Sequence, residues 1–166
     1  MNASLLKKNI SNIILSKSNS NINFFTTKKS FLDKNFSSLN DVFLEINKIS
    51  EKEYGVQSKE LNLTSKKNDK NNLIHFDNGI LLINSFFTQL KKNCLIFFRL
   101  EKPIFFNNKS TDIIFTLLTP NNFETSHKLQ ILAKLTRIFQ GPNIRKEIKG
   151  VKKPEDVLAL LLFTSS

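Results

Sequence analysis

The sequence predicts a three-layer α/β/α domain, and three observations carry that prediction. Two near-continuous apolar segments, Cys94–Leu100 (CLIFFRL) and Thr111–Leu118 (TDIIFTLL), read as strands covered on both faces. Segments with apolar residues at helical spacing stand on either side of them in the chain. The length, 166 residues, suits one domain with a core of its own.

The elements follow in order. Ser30–Phe36 alternates loosely and reads as a short first strand. Ser37 or Ser38 can cap a helix running to about Lys52, with Val42, Phe43, Ile46 and Ile49 as its apolar stripe and Gly55 as its stop. Ser58 can open a weaker helix, Lys59–Leu63, before a polar loop, Thr64–Asn72. Leu73–Ile83 contains Asn78-Gly79, a strong turn signal because both residues tolerate positive φ. Ile80–Ile83 then reads as a buried strand ending at Asn84. Pro103 and Asn107-Asn108 mark the connection between the two long apolar strands. Ser126 can cap a helix over His127–Phe139, and Gly141-Pro142 stops it. A short helix is expected over Asn143–Lys149. Pro154, with Glu155 and Asp156 near the positive end of the dipole, opens a last helix to about Phe163.

Charge and composition bound the function. The net charge is +11, yet 22 lysines stand against 3 arginines, whereas bidentate reading of phosphate or guanine favours arginine. The lysines are scattered in pairs, and there are 21 asparagines. Lys, Asn, Ile and Phe together are what an AT-rich genome encodes, so the excess points to coding bias before it points to nucleic acid. No acidic residue precedes Asp33, while five lysines do. Residues 1–20 are therefore expected to be a basic, disordered extension ahead of a domain over residues 21–164. Their apolar stretch, Ile13–Leu15, falls short of the roughly 7–15 residues of a secretory signal. A transit peptide fits the composition but lacks its arginines. No apolar run reaches the roughly 18–20 residues of a membrane helix. A cytoplasmic protein without a transmembrane segment is the expectation.

Chemistry-bearing residues are few. The single cysteine, Cys94, excludes an internal disulfide and a cysteine-based zinc cage, and as the start of an apolar strand it reads as a buried structural thiol. The two histidines, His75 and His127, have no acidic cluster beside them, so neither a metal nor another cofactor is implied.

Four stretches in order, Arg99–Phe105 (RLEKPIF), Thr111–Pro120 (TDIIFTLLTP), His127–Leu135 (HKLQILAKL) and Pro154–Leu161 (PEDVLALL), resemble the carboxy-terminal half of the fructose/mannitol-type (type 2) enzyme IIA of the bacterial phosphotransferase system. The nitrogen-regulatory branch looks nearer. Phe31-Leu32-Asp33, Ser37-Ser38, the helix from Asp41 and Asn78-Gly79-Ile80 extend the resemblance over about residues 21–162, the last at the place of the family's Asn-Gly-Ile-Ala-Ile-Pro-His motif. The resemblance implies a mixed sheet of four or five strands between helix layers. It also implies a phosphoryl relay, in which a histidine accepts the group from a phosphocarrier protein. In the nitrogen-regulatory branch the phosphorylation state instead tunes binding to regulatory protein targets.

On that motif, Asn84 falls where the acceptor histidine stands, and Ile83 replaces the preceding proline. An imidazole nitrogen attacks phosphorus and leaves again. A carboxamide nitrogen is conjugated with its carbonyl and does not. Ser85 is adjacent, but a phosphoserine ester is a poor onward donor. Asn68-Asp69-Lys70 stands in for the family's Arg-Glu-Lys, and Asn71–Phe76 for its Gly-rich turn, so a phosphate-clamping arginine and a backbone nest are missing. His127 matches the second active-site histidine, at a helix start that favours anions. Asn78, Gly79, Ser85, Phe86 and Phe87 are the candidate binding residues, the Phe pair as an apolar contact for partners.

Three functions are therefore expected to compete. The first is a phosphorylation-deficient regulatory or binding module. The second is an active phosphoryl carrier using His75 or His127. The third is a basic adaptor binding nucleic acid or anionic lipid through residues 1–30.

Overall fold

The computed structural model describes residues 27–56, 72–87, 90–91, 93–120 and 125–164, and the side chains of residues 27–29, 72, 86–87, 125, 127–128, 158 and 162–164, Phe86, Phe87 and His127 among them, are outside that description. The expected extension over residues 1–20, the weak helix Lys59–Leu63 and the loop that follows it up to residue 71 lie outside the described residues.

Five strands and four helices are described. They are β1 (Thr27–Lys34), α1 (Leu39–Tyr54), β2 (Asn72–His75), β3 (Ile80–Phe87), β4 (Cys94–Phe106), β5 (Lys109–Pro120), α2 (Thr125–Phe139), α3 (Ile144–Gly150) and α4 (Asp156–Thr164). The strands form one mixed sheet in the order β1-β4-β5-β3-β2. β1 runs parallel to β4, with Thr27 beside Cys94, and β3 runs parallel to β5. The β2/β3 and β4/β5 pairs are antiparallel.

Two apolar layers explain the three-layer build. On one face α1 lays Val42, Phe43, Ile46 and Ile49 against Ile83, Ile96, Phe98 and Ile114. On the other, Ile131, Leu135 and Phe139 of α2, Ile144 and Ile148 of α3 and Val157 of α4 cover Leu82, Leu95, Phe97 and Phe115. Strands buried this way favour apolar residues on both faces, which is why β5 reads as a near-continuous apolar run, broken by Thr116.

Local chemistry sets the ends. The Ser38 hydroxyl accepts from the Asp41 N–H and the Asp41 carboxylate accepts from the Ser37 N–H, a reciprocal cap that starts α1. Gly55, at φ 65°, ends it. Asn107 and Asn108, at φ 48° and 61°, make the two-residue turn between β4 and β5.

The sequence expectation differs in several places, three of them at element ends with a visible cause. β1 begins at Thr27 rather than Ser30 and stops at Lys34, because Asp33 takes φ 56° and the register with β4 shifts there. β4 continues six residues past Leu100, through Pro103, by a register shift between Arg99 and Ile104. Such an irregularity is where a proline is tolerated in a strand. Helix α2 begins at Thr125, so Ser126 lies in its first turn instead of capping it.

Candidate functional site

The two ends of the central strands carry different chemistry. Asn84 lies in the second half of β3, toward the carboxyl ends of the parallel pair β3/β5, where open α/β sheets bind ligands. It pairs in register with Asn72 of β2 and Leu117 of β5. Its side chain is 3% exposed, and its Oδ1 lacks a hydrogen-bond partner. Alternation along β3 places it on the same face as Leu82, the face that α2 covers. Helix α2 starts after β5 has ended at this edge, with His127 in its first turn. Asn93, just before β4, is also buried there, and neither polar atom of its side chain has a partner.

Ser85 is 5% exposed and, one residue along the strand, faces the α1 side. The two neighbours therefore cannot serve one pocket. β3 itself continues past Asn84 to Phe87, so the Phe86-Phe87 pair extends the strand. Cys94 is buried, as the sequence implied. Among the described residues no three His, Cys, Asp or Glu side chains gather as a metal site would require.

His75 stands elsewhere. It pairs with Leu81, three rows from Asn84, and shares the α1 face with Leu81. Its Nε2 and the Thr111 hydroxyl share a hydrogen bond of 2.6 Å, while its Nδ1 is buried without a partner. Burial holds the ring below the usual imidazole pKa of 6.5; the Lys109 charge adds to this and Asp77 partly opposes it. A base with a depressed folded pKa contributes stability that is full above its unfolded value and is lost as pH falls through that region. The unfolding free energy is therefore expected to fall between about pH 7 and pH 5, and His75→Gln to flatten that limb. Urea unfolding of both proteins across that range measures it; identical limbs would exclude His75 as the source.

Asn78 and Gly79 lie at the opposite end of β3 from Asn84. The Asn78 amide donates to the carbonyl of Phe139 at the end of α2, 2.9 Å away. Gly79, at φ 82°, could not carry a side chain: a Cβ there would lie 2.7 Å from an Arg145 guanidinium nitrogen and 3.1 Å from Asp112 Oδ1. These residues thus make a turn anchored to α2 and α3, at the far end of β3 from Asn84.

Sequence reasoning missed what Gly79 makes room for. The N–H groups of Asp112 and Ile113 both donate to the Gly79 carbonyl, a β-bulge. The bulge lets Asp112 point to α3 while Ile113 stays in the core of that same face. Arg145 grips Asp112 through two hydrogen bonds, 2.6 and 2.8 Å, and donates also to the Asn78 carbonyl. Lys149 reaches the second carboxylate oxygen at 2.6 Å. An acid opening an otherwise apolar strand was the one available signal. Nearby, Arg99 donates to the carbonyls of Ile148, Lys149 and Val151 and so closes the end of α3. A cavity of about 360 Å3 opens over this cluster, with Phe76, Lys109 and Ser110 in its walls.

The family model described as "Phosphoenolpyruvate-dependent sugar phosphotransferase system, EIIA 2" matches residues 23–163. Solved structures share the fold. Nitrogen regulatory protein IIA-Ntr from Neisseria meningitidis is 24% identical with a TM-score of 0.63, over 79% of this chain and 91% of that one. A putative PTS IIA domain from Streptococcus pyogenes is 14% identical with a TM-score of 0.63, over 82% and 91%. IIA mannitol from Escherichia coli is 11% identical with a TM-score of 0.57, over 80% and 95%. No curated protein sequence matches the chain.

Proposed function

The chain belongs to the EIIA 2 family of the phosphoenolpyruvate-dependent sugar phosphotransferase system, and from that premise we propose that it is a phosphorylation-deficient member of nitrogen-regulatory type, a cytoplasmic module that binds protein partners without relaying phosphate. The partners in this reading are the phosphocarrier protein and regulatory protein targets.

One observation supports the reading: Asn84, the residue that the sequence resemblance sets at the acceptor position, is a buried carboxamide. No neighbour replaces it readily. Ser85 faces the other side of the sheet, and His75 is both on the other face and nearer the other end of β3. His127 is at the right edge, in the first turn of α2, and this observation keeps a carrier that uses His127 as the second reading. What remains at the edge is a scaffold with polar groups and a helix start, which can recognise a surface but offers no nucleophile at the strand.

The test is direct. The full chain is incubated with labelled phosphoenolpyruvate, enzyme I and phosphocarrier protein, beside an enzyme IIA that keeps its acceptor histidine. The expected result is label on the control and none on this chain. Acid-labile phosphate that disappears in His127→Ala, or in His75→Ala, would replace the proposal with the carrier reading.

A further inference from the structure

The cavity over Asp112 lies at the end of the sheet away from Asn84. Its walls come from three separate elements: the β2–β3 turn with Phe76 and Gly79, the start of β5 with Lys109, Ser110 and Asp112, and Arg145 of α3. At about 360 Å3 it is large enough for a small ligand.

Its polar groups are unbalanced. Both oxygens of Asp112 are taken, by Arg145 and by Lys149. Arg145 uses three of the five N–H donors that a guanidinium carries, and its side chain is 39% exposed. Lys149 and Lys109 each make one ion pair out of three ammonium donors, and Lys109 spends its own on the exposed carboxylate of Asp77. Ser110 adds a hydroxyl. Donors outnumber acceptors, and three cations face two carboxylates. A ligand that completes the site must bring acceptor oxygens and negative charge, as a phosphoryl group does.

The rim adds a second requirement. Phe105 lies directly across from Ser110 in the β4/β5 ladder, so the two side chains share a face. Phe105 is 74% exposed, more than any other large apolar residue described. An exposed ring on the face of a cationic cleft offers a stacking surface to a flat ligand.

We propose that this cleft binds a small phosphomonoester carrying a flat ring, the chemistry of a nucleoside monophosphate. The phosphoryl oxygens take the spare donors of Arg145 and Lys109, and the ring lies on Phe105. This site is independent of whether Asn84 or His127 handles phosphate, so its test does not depend on the relay.

The experiment is an amide-resolved NMR titration of the full chain at low salt with adenosine monophosphate, inorganic phosphate and adenosine in parallel. Saturable shifts at the amides of Gly79, Ser110 and Asp112 are expected with the monophosphate, with each fragment binding about tenfold or more weakly. Phe105→Ala and Lys109→Ala, at exposed positions outside both cores, are each expected to weaken the monophosphate about fivefold while leaving the remaining spectrum in place. The proposal is overturned by an absence of saturable shifts at those amides, by monophosphate affinity that both variants leave unchanged, or by inorganic phosphate binding as tightly as the monophosphate. It is equally overturned if the largest shifts fall at the Asn84 end.

Discussion

Phe115→Ala is expected to lower the free energy of unfolding by about 3–5 kcal/mol, against a total of about 5–15 for a domain of this size. Phe115 sits on β5, the middle strand of five, and is fully buried. Its ring centre is 4.7 Å from that of Phe97 on β4 and 4.3 Å from that of Phe139 at the end of α2. Removing it opens a void lined from three elements, and a sheet flanked on both faces by helices cannot collapse into that space. The midpoint of urea unfolding should fall while the slope stays constant, because the surface exposed on unfolding is little changed. Phe115→Leu, which keeps much of the volume, should cost only about 1–2 kcal/mol. A loss below about 1 kcal/mol for the alanine variant would mean that the ring cluster is not the centre of this layer.

Asp112→Ala is expected to follow, at about 2–3 kcal/mol. Removing one partner of a buried ion pair costs about 3–5 kcal/mol. Here the cations Arg145 and Lys149 are 39% and 36% exposed, so water compensates part of the loss. Burial alone would raise the Asp112 pKa; hydrogen bonds and charge from Arg145 and Lys149 outweigh it and hold the carboxyl below its ordinary 3.8. A carboxyl with a depressed folded pKa contributes stability that is present above the unfolded value and is lost as pH falls through the folded one. The wild-type chain should therefore lose stability below about pH 4, and Asp112→Asn, which keeps the shape, should lack that component. Acid unfolding curves of the pair measure it. Superimposable curves would show that the carboxylate's charge contributes nothing to the fold.

The elements that were legible in the sequence are those fixed by local periodicity. The stripe Val42, Phe43, Ile46 and Ile49 is buried as a unit, and Cys94–Leu100 and Thr111–Leu118 lie within two central strands. The extension of β4 through Pro103 was hidden because Glu101, Lys102 and Pro103 are exposed and the register is broken there, so the apolar run is interrupted. Asn84 drew attention through resemblance, not through pattern, since a lone carboxamide in an apolar strand has no periodicity of its own. Of the Arg145–Asp112–Lys149 cluster only the acid stood out, as the opening of an apolar strand. Its acid and its bases are more than thirty residues apart, and only the bulge opposite Gly79 turns the acid toward them. Asn78-Gly79 was legible as a turn from its residue types alone, and the structure clamps that turn to two helices.

The parallel pairing of β1 with β4 bears on how the chain is made. Thr27 has its ladder partner at Cys94, so during synthesis the first strand leaves the ribosome long before the residues it must bond to exist. Until then its amide and carbonyl groups are open to any other nascent strand. Lys28, Lys29 and Lys34 place repulsive charge on that waiting segment, a safeguard that serves the chain before it has a fold.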